Sequence, residues 1–367
     1  MRLLFLASDA EWTASTRIFA AAARGLASKG HEVSIACPPG PLMAWLGGQS
    51  AGIVDVIGID ADASGPKGTF DMRRAAKEKS PDVAFVHSVR DQLVMSAGLR
   101  FGGGGAVVRR IPAFHDVDDE PGVIASRVAP AAIIVTTEEQ ARGLPTGRWP
   151  IPPSVAPVGV DPAAHDRVAA VSRDSLGLSP NRIVMGCPFA ADGRVRLGNV
   201  LRTLALLAPR HPELRAVVFG ASSLHDDFRM HAAALGVAPL LTFIRDGDYE
   251  AIAITKACDF IWVAADYDAA ALACLDAMAV RLPVIGERSS LTEHYVADGI
   301  TGALLPEGDP SYLAATVAGV IARGERRATF GNAGRARVER EFPEQAMIDG
   351  FERAAVAAAK QLGRVLQ

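Results

Sequence analysis

The feature that most narrows what this chain can become is an alternation, run twice, of short apolar segments with longer amphipathic ones. In the first half, runs rich in Val, Ile, Leu and Ala predict strands over 3–7, 33–36, 54–59, 83–87, 106–111 and 132–136. Helical spacing predicts helices over 13–28, 70–79, 91–99 and 137–143. The first of these closes on Lys29-Gly30, a cationic last turn with a glycine stop. The second half repeats the rhythm. Strands are expected over 182–189, 215–220, 240–244, 260–264, 284–286 and 302–305, with helices over 198–208, 225–235, 249–257, 269–282, 312–323 and 326–341. Such a succession builds parallel sheets with helices on both faces. Between the halves, W-P-I-P-P-S-V-A-P-V-G-V-D over 149–161 is proline-rich and reads as a stiff connection. The expectation is two doubly wound α/β domains, 1–160 and 161–345. Phe342-Pro343 breaks the chain before a last alanine-rich helix over 346–367.

Composition enters as a set of exclusions. At 367 residues the chain has material for two ordinary cores. The net charge of −3, with both signs dispersed, argues against a nucleic-acid partner. The mean hydropathy of +0.18 comes largely from alanine, and no stretch approaches the roughly 20 apolar residues of a spanning helix. The opening M-R-L-L-F-L-A meets Asp9 and Glu11 too soon for a secretory leader. Cys37, Cys187, Cys258 and Cys274 have neither zinc-like spacing nor a disulfide framework. A cytoplasmic location is expected, with no transmembrane segment, and peripheral contact at the inner membrane face is compatible with it.

Chemistry concentrates in 259–309. Phe260 to Ala264 reads as a buried strand, Asp266-Tyr267-Asp268 as its acidic end, and 269–282 as a helix carrying Leu272, Leu275, Met278 and Ala279 at helical spacing. Pro283 restarts an extended run. Strand, turn, helix, strand is the layout that places a ligand at the carboxyl end of a parallel sheet. Asp268 and Asp276, eight residues and about 2.2 turns apart, share a helix face. The unpaired N–H groups of the first turn suit a phosphate, and the two acids suit the hydroxyls of a nucleotide-sugar. The competing reading is an N-cap at Asp268 and a solvated Asp276. Asp266-Tyr267-Asp268 also spells a D-x-D metal signature, but its place in the second of two βα halves argues against that use.

Other residues invite weaker readings. Gly102 to Gly105 follows a helix and precedes a strand, the reverse of a dinucleotide fingerprint, so it reads as a connector. The loop after the first strand offers Ser15 and Thr16 to cap or line a helix start, and Arg17 to meet a phosphate. His87 and Arg90 follow a strand, where a histidine is more often a structural hydrogen-bonder. His115 with Asp116, Asp118, Asp119 and Glu120 matches no metal spacing and reads as a solvated acidic loop.

Several segments taken together resemble the GT-B glycosyltransferases, and among them the retaining family four. G-L-A-S-K-G-H-E-V-S-I-A is similar to that family's first helix-to-strand passage, S-P-D-V-A-F-V-H-S to its "PDvvhvH" strand, I-I-V-T-T-E-E-Q-A-R-G-L to its "ivavSe" segment and V-A-P-V-G-V-D to its "vIpNGVD" linker. The 259–309 stretch resembles the E-x7-E helix followed by "EAMAxGxPVIa", and I-T-G-A-L-L-P-E-G-D-P resembles "vtGllvppgDp". The likeness runs along nearly the whole chain in the family's order. It implies a GT-B fold: two Rossmann-like domains facing across a cleft, acceptor side first and nucleotide-sugar side second, with the C-terminal helix packing back on the first.

Carried over residue by residue, the resemblance implies that Asp276 binds the nucleotide ribose and that Asp268 meets the donor sugar or its phosphates, each with aspartate where the family has glutamate. Ala269, Ala270 and Ala271 stand where the family usually has a glycine-containing turn near the phosphates. The family's R-x4-K clamp is absent from P-F-A-A-D-G-R-V-R-L-G, which leaves Arg194 and Arg196 as the available cations to stabilise a departing diphosphate. The paired glycines of the family's first loop are absent too, and Ser15, Thr16 and Arg17 take that place. Ile244 and Arg245 fall where the nucleobase is expected; Arg109 and Arg110 fall where a donor-contacting His or Arg is common; His87 can touch donor or acceptor. The implied activity is retaining transfer from a UDP- or GDP-type sugar to an acceptor hydroxyl on a glycan, a lipid-linked molecule or a small molecule, with no metal and no further cofactor. The departures favour a rival reading, a protein that binds a nucleotide-sugar or a partner without transfer. An epimerase lacks the expected histidines, and a nicotinamide enzyme is disfavoured by the misplaced glycines.

Overall fold

The computed structural model describes residues 1–8, 13–50, 52–59, 66–102, 104–112, 130–144, 149–189, 197–220, 222–245, 248–264, 267–306 and 310–363. The chain divides into two compact units: Met1–Val158 with Glu344–Gln367, and Gly159–Pro343. The first holds seven parallel strands: β1 (Arg2–Leu6), β2 (Glu32–Cys37), β3 (Asp55–Gly58), β4 (Val83–Val86), β5 (Ala106–Arg110), β6 (Ala132–Val135) and β7 (Ser154–Val155). Their order is β3-β2-β1-β4-β5-β6-β7. The second holds six: β8 (Ile183–Pro188), β9 (Leu214–Phe219), β10 (Leu241–Ile244), β11 (Phe260–Val263), β12 (Val284–Glu287) and β13 (Gly302–Leu305), ordered β10-β9-β8-β11-β12-β13. Both share the doubly wound 3-2-1-4-5-6 order, in which the winding reverses beside the first strand. β4 and β11 are buried at every residue. That is why they read as continuous apolar runs and not as alternating ones.

The first unit is completed by the end of the chain. Helix Glu344–Gln361 sends Phe351, fully buried, into an aromatic cluster with Phe85 (centroids 5.3 Å apart), Phe5 and Phe19 (6.0 Å each). Gly350 permits that approach, because a Cβ there would lie 2.4 Å from Ala156 Cβ and 2.7 Å from the Val155 carbonyl. Lys29 donates to Asp349 (2.6 Å) and to Glu352, and holds both carboxyls below their usual range. The expected last helix at 346–367 therefore begins two residues earlier.

Several elements depart from the sequence expectation. Pro41–Ser50 is a helix whose apolar residues lack a one-faced period, so periodicity did not mark it. The 91–99 helix extends to Val89–Gly102 and absorbs the first glycine of the tract. Part of the proline-rich connection pairs as β7 against β6, and its end leads into a short helix, Pro162–Arg167, that was not expected. The 269–282 helix is Tyr267–Ala279. Arg281 then adopts φ +61°, and Leu282 N–H closes onto the Ala277 carbonyl at 2.8 Å, a left-handed helix stop. Among the described residues no helix is long and apolar enough to cross a membrane.

Candidate functional site

In the second sheet the winding reverses between β8 and β11, and ligands of such sheets bind outside the carboxyl ends at that point. Helix Tyr267–Ala279 starts from the end of β11 there. Every residue from Asp268 to Ala279 is buried, so the helix is apolar on all sides and nearly all Ala, Leu, Cys and Met. Asp268 and Asp276 are the exceptions, only 1% and 5% exposed. An ionised carboxylate at such burial costs several kcal/mol unless it is paired. Their axial separation is about 12 Å at 1.5 Å per residue. Asp268 lies in the first helical turn, where the positive end of the helix dipole favours an anion. Asp276 is not solvated: its Oδ1 is 2.8 Å from His165 Nε2. Tyr267, at φ +55°, holds the strand-to-helix turn in the left-handed region that non-glycine residues avoid.

His165 was not anticipated, and local physics explains how it arrives. Gly159 lets two chain segments cross, since a Cβ there would lie 2.5 Å from the Pro343 carbonyl; Val160 N–H donates to the Phe342 carbonyl at 3.2 Å. Asp161 follows as an N-cap, its side chain accepting from Ala163 N–H at 2.9 Å, and Pro162 opens the helix. His165 then lies one turn after Asp161 and folds inward, with Nδ1 2.9 Å from the Asp161 carbonyl. The Asp-Pro pair was a legible helix-start signal; a partner 111 residues away was not.

A second unanticipated acid is Glu287, the last residue of β12, 6% exposed and accepting from Asn199 Nδ2 at 2.8 Å. Asn199 stands in helix Leu197–Leu207, which follows β8. Ile244 ends β10 and is buried. With Thr242, Phe243, Asp248 and Tyr249 it lines a surface hollow of about 380 Å³, while Arg245 beside it is exposed. Ala269, Ala270 and Ala271 form the first turns of the buried helix. Arg194, Arg196, Asp266 and the His115–Glu120 loop lie outside the described residues.

The remaining candidates belong to the first unit. Ser15, Thr16 and Arg17 are not in a loop but inside helix Ala14–Ser28. Its cap is Thr13, whose Oγ1 accepts from Thr16 N–H at 3.1 Å, and Ser15 and Thr16 are buried. Arg109 and Arg110 are the last residues of β5, 3% and 1% exposed. His87 follows β4, with Nδ1 3.8 Å from Asp91 Oδ2 and its ring in a T-shaped contact with Phe19. Arg90 is exposed. Among the described residues no group of three or more His, Cys, Asp or Glu side chains is placed to hold a metal ion.

Residues 173–337 match the family described as glycosyl transferases group 1. The D-inositol 3-phosphate glycosyltransferase of Stackebrandtia nassauensis is 32% identical over 196 residues, 48% of this chain and 42% of that protein. The one from Geodermatophilus obscurus is 28% identical over 254 residues, 64% and 54% of the two chains. The chain thus spans about half the length of the curated relatives it matches. Among solved structures, Anabaena Alr3699/HepE in complex with UDP-glucose superposes with TM-score 0.76 at 15% identity, covering 99% of both chains. A glycosyltransferase from Rickettsia africae gives 0.74 at 15% identity over 98% of both. The likeness of fold runs the length of the chain and the sequence match lies within the second unit: this is a GT-B-fold protein whose residues 173–337 are similar to the glycosyl transferases group 1 family.

Proposed function

We propose that the chain is a retaining glycosyltransferase that takes a sugar from a UDP- or GDP-type donor to an acceptor hydroxyl, with the donor held at the carboxyl edge of the second sheet. The observation that carries this reading is the helix Tyr267–Ala279: wholly apolar but for two buried acids, it begins where the winding of the sheet reverses. In this reading the first-turn N–H groups and the helix dipole receive the diphosphate. Asp268 meets the sugar and Asp276 the ribose. Ile244 and Arg245 flank the base, and Arg194 and Arg196 supply positive charge for the leaving phosphate. Arg109, Arg110, His87 and the Ser15–Thr16–Arg17 segment belong to the acceptor-side unit in this reading. The leaving phosphate itself assists deprotonation of the acceptor on the same face of the sugar, so no dedicated protein base and no metal is needed. The complexes of the Anabaena protein with UDP and UDP-glucose, and the D-inositol 3-phosphate in the relatives' names, support the substrate class.

The test is a thermal-shift panel of UDP, GDP and their sugars, followed by donor hydrolysis and transfer with polyol-phosphate and glycan acceptors. A ligand that binds only the native state raises the melting temperature. At least one nucleotide is expected to do so, and Asp276→Ala is expected to weaken that binding about tenfold or more. No stabilisation by any of them overturns the reading. Loss of turnover on chelation overturns the metal-free part of it. Binding without transfer to any acceptor is the second reading, favoured by the missing R-x4-K spacing and by aspartate at both acid positions.

A further inference from the structure

Asp161, His165 and Asp276 form a hydrogen-bonded chain inside the second unit. His165 Nδ1 lies 2.9 Å from the Asp161 carbonyl and its Nε2 lies 2.8 Å from Asp276 Oδ1. A backbone carbonyl only accepts a hydrogen bond, so Nδ1 carries a proton. An ionised carboxylate also only accepts, so Nε2 must carry one as well, or Asp276 must donate instead. Either arrangement holds one proton more than a neutral ring beside a carboxylate. The buried pair therefore presents no net charge, although the helix that carries Asp276 contains no basic residue.

That matters for a ligand that is itself an anion. A lone buried carboxylate would repel a nucleoside diphosphate across a low-dielectric interior, where charges are poorly screened. We propose that His165 is a positioning residue of the donor site: it fixes the orientation of the Asp276 carboxylate and cancels its charge, so that the ribose hydroxyls of a nucleoside diphosphate meet an oriented, net-neutral pair. The inference deepens the reading of Asp276 as the ribose-binding acid and rests on it. His165 acts through Asp276 and is not assigned a contact with reacting atoms. The capped helix Pro162–Arg167 holds the ring from behind, and the next residue, Asp166, is clamped by Arg335 through both carboxylate oxygens at 2.9 and 2.8 Å.

The experiment measures dissociation constants for whichever of UDP and GDP the wild-type protein binds, in His165→Ala, His165→Gln, Asp276→Ala and the double variant H165A/D276A, with fold checked by thermal melting. His165→Ala is expected to weaken binding about tenfold or more, since it removes a hydrogen-bond partner of a buried acid. His165→Gln restores a neutral donor and is expected to recover part of that loss. In the Asp276→Ala background His165→Ala is expected to cost nothing further, because coupled residues lose additivity. A folded His165→Ala that binds within about twofold of wild type overturns the proposal, as do additive losses in the double variant. Should His165→Ala fail to fold, His165→Gln against His165→Met makes the same comparison at similar volume, and equal affinity of the two overturns it. A wild-type protein that binds neither nucleotide fails the donor-site reading itself, and the positioning role falls with it. A wild type that binds with an indifferent His165 fails the positioning role alone.

Discussion

Arg281 shows how a single residue can depart from the conformation its position asks for. It ends the buried helix at φ +61°, and its own N–H reaches the Met278 carbonyl at 3.1 Å. A left-handed stop of this kind favours glycine, because any Cβ is crowded there. The family pattern that the segment resembles has glycine at this place. Arg281 gains little in exchange, since its contact to Asp166 is 3.9 Å long and about half exposed on both sides. Arg281→Gly is therefore expected to raise stability by about 0.5–1 kcal/mol, read as a shift in chemical-denaturation midpoint. A loss would mean that the side chain contributes more than its geometry indicates. Gly331 is the counterpart, because a Cβ at that position would lie 1.8 Å from the Arg281 carbonyl, so the glycine is what lets helix Gly324–Glu341 close over this turn.

At the level of elements, the sequence predicted most strands within a residue or two, because continuous Val, Ile and Leu runs such as those of β4 and β11 depend only on burial on both faces. It overran the helix after β11, since nothing in Val280-Arg281-Leu282 forbids helix until tertiary closure selects the stop. It missed helix Pro162–Arg167, which is short and leans on a cap and a crossing chain more than on periodicity. The last helix carries its own prediction. Phe351 is fully buried against three phenylalanines of the first unit, so Phe351→Ala is expected to cost about 3–5 kcal/mol of that unit's stability. Hydrogen exchange of β1 and β4 amides measures it. A change below about 1 kcal/mol would mean that the helix is not part of that core.

Across the whole molecule, all four cysteines are buried and free. Burial pushes the Cys37 thiol up to about 11, the Cys187 and Cys274 thiols up to about 12, and Cys258 higher still. The thiolate is the reactive form, so a thiol reagent at pH 8 is expected to titrate none of the four in the native protein and all four in denaturant. Rapid modification of any of them under native conditions would contradict the packing of the sheet or helix that holds it. Cys274 is the most informative, because it stands in the helix between Asp268 and Asp276. Protection of Cys274 by a bound nucleotide in mild denaturant would report that helix's stability directly.

What the sequence determined by itself was everything that depends on near neighbours along the chain. That includes the twofold βα rhythm, the Lys29-Gly30 stop of the first helix, the acidic residues leading into an alanine-rich helix, and the eight-residue spacing of Asp268 and Asp276. These follow from periodicity and capping, which operate within a few residues. Tertiary structure decided the rest. It placed Asp276 inside the second unit and not in solvent. It brought His165 to it across 111 residues of chain, and put Glu287 beside Asn199 across 88. It also returned the last helix to the first unit. The physical reason is the cost of burying charge. A carboxylate's environment depends on which distant donor the packing delivers to it, and no local pattern encodes that partner.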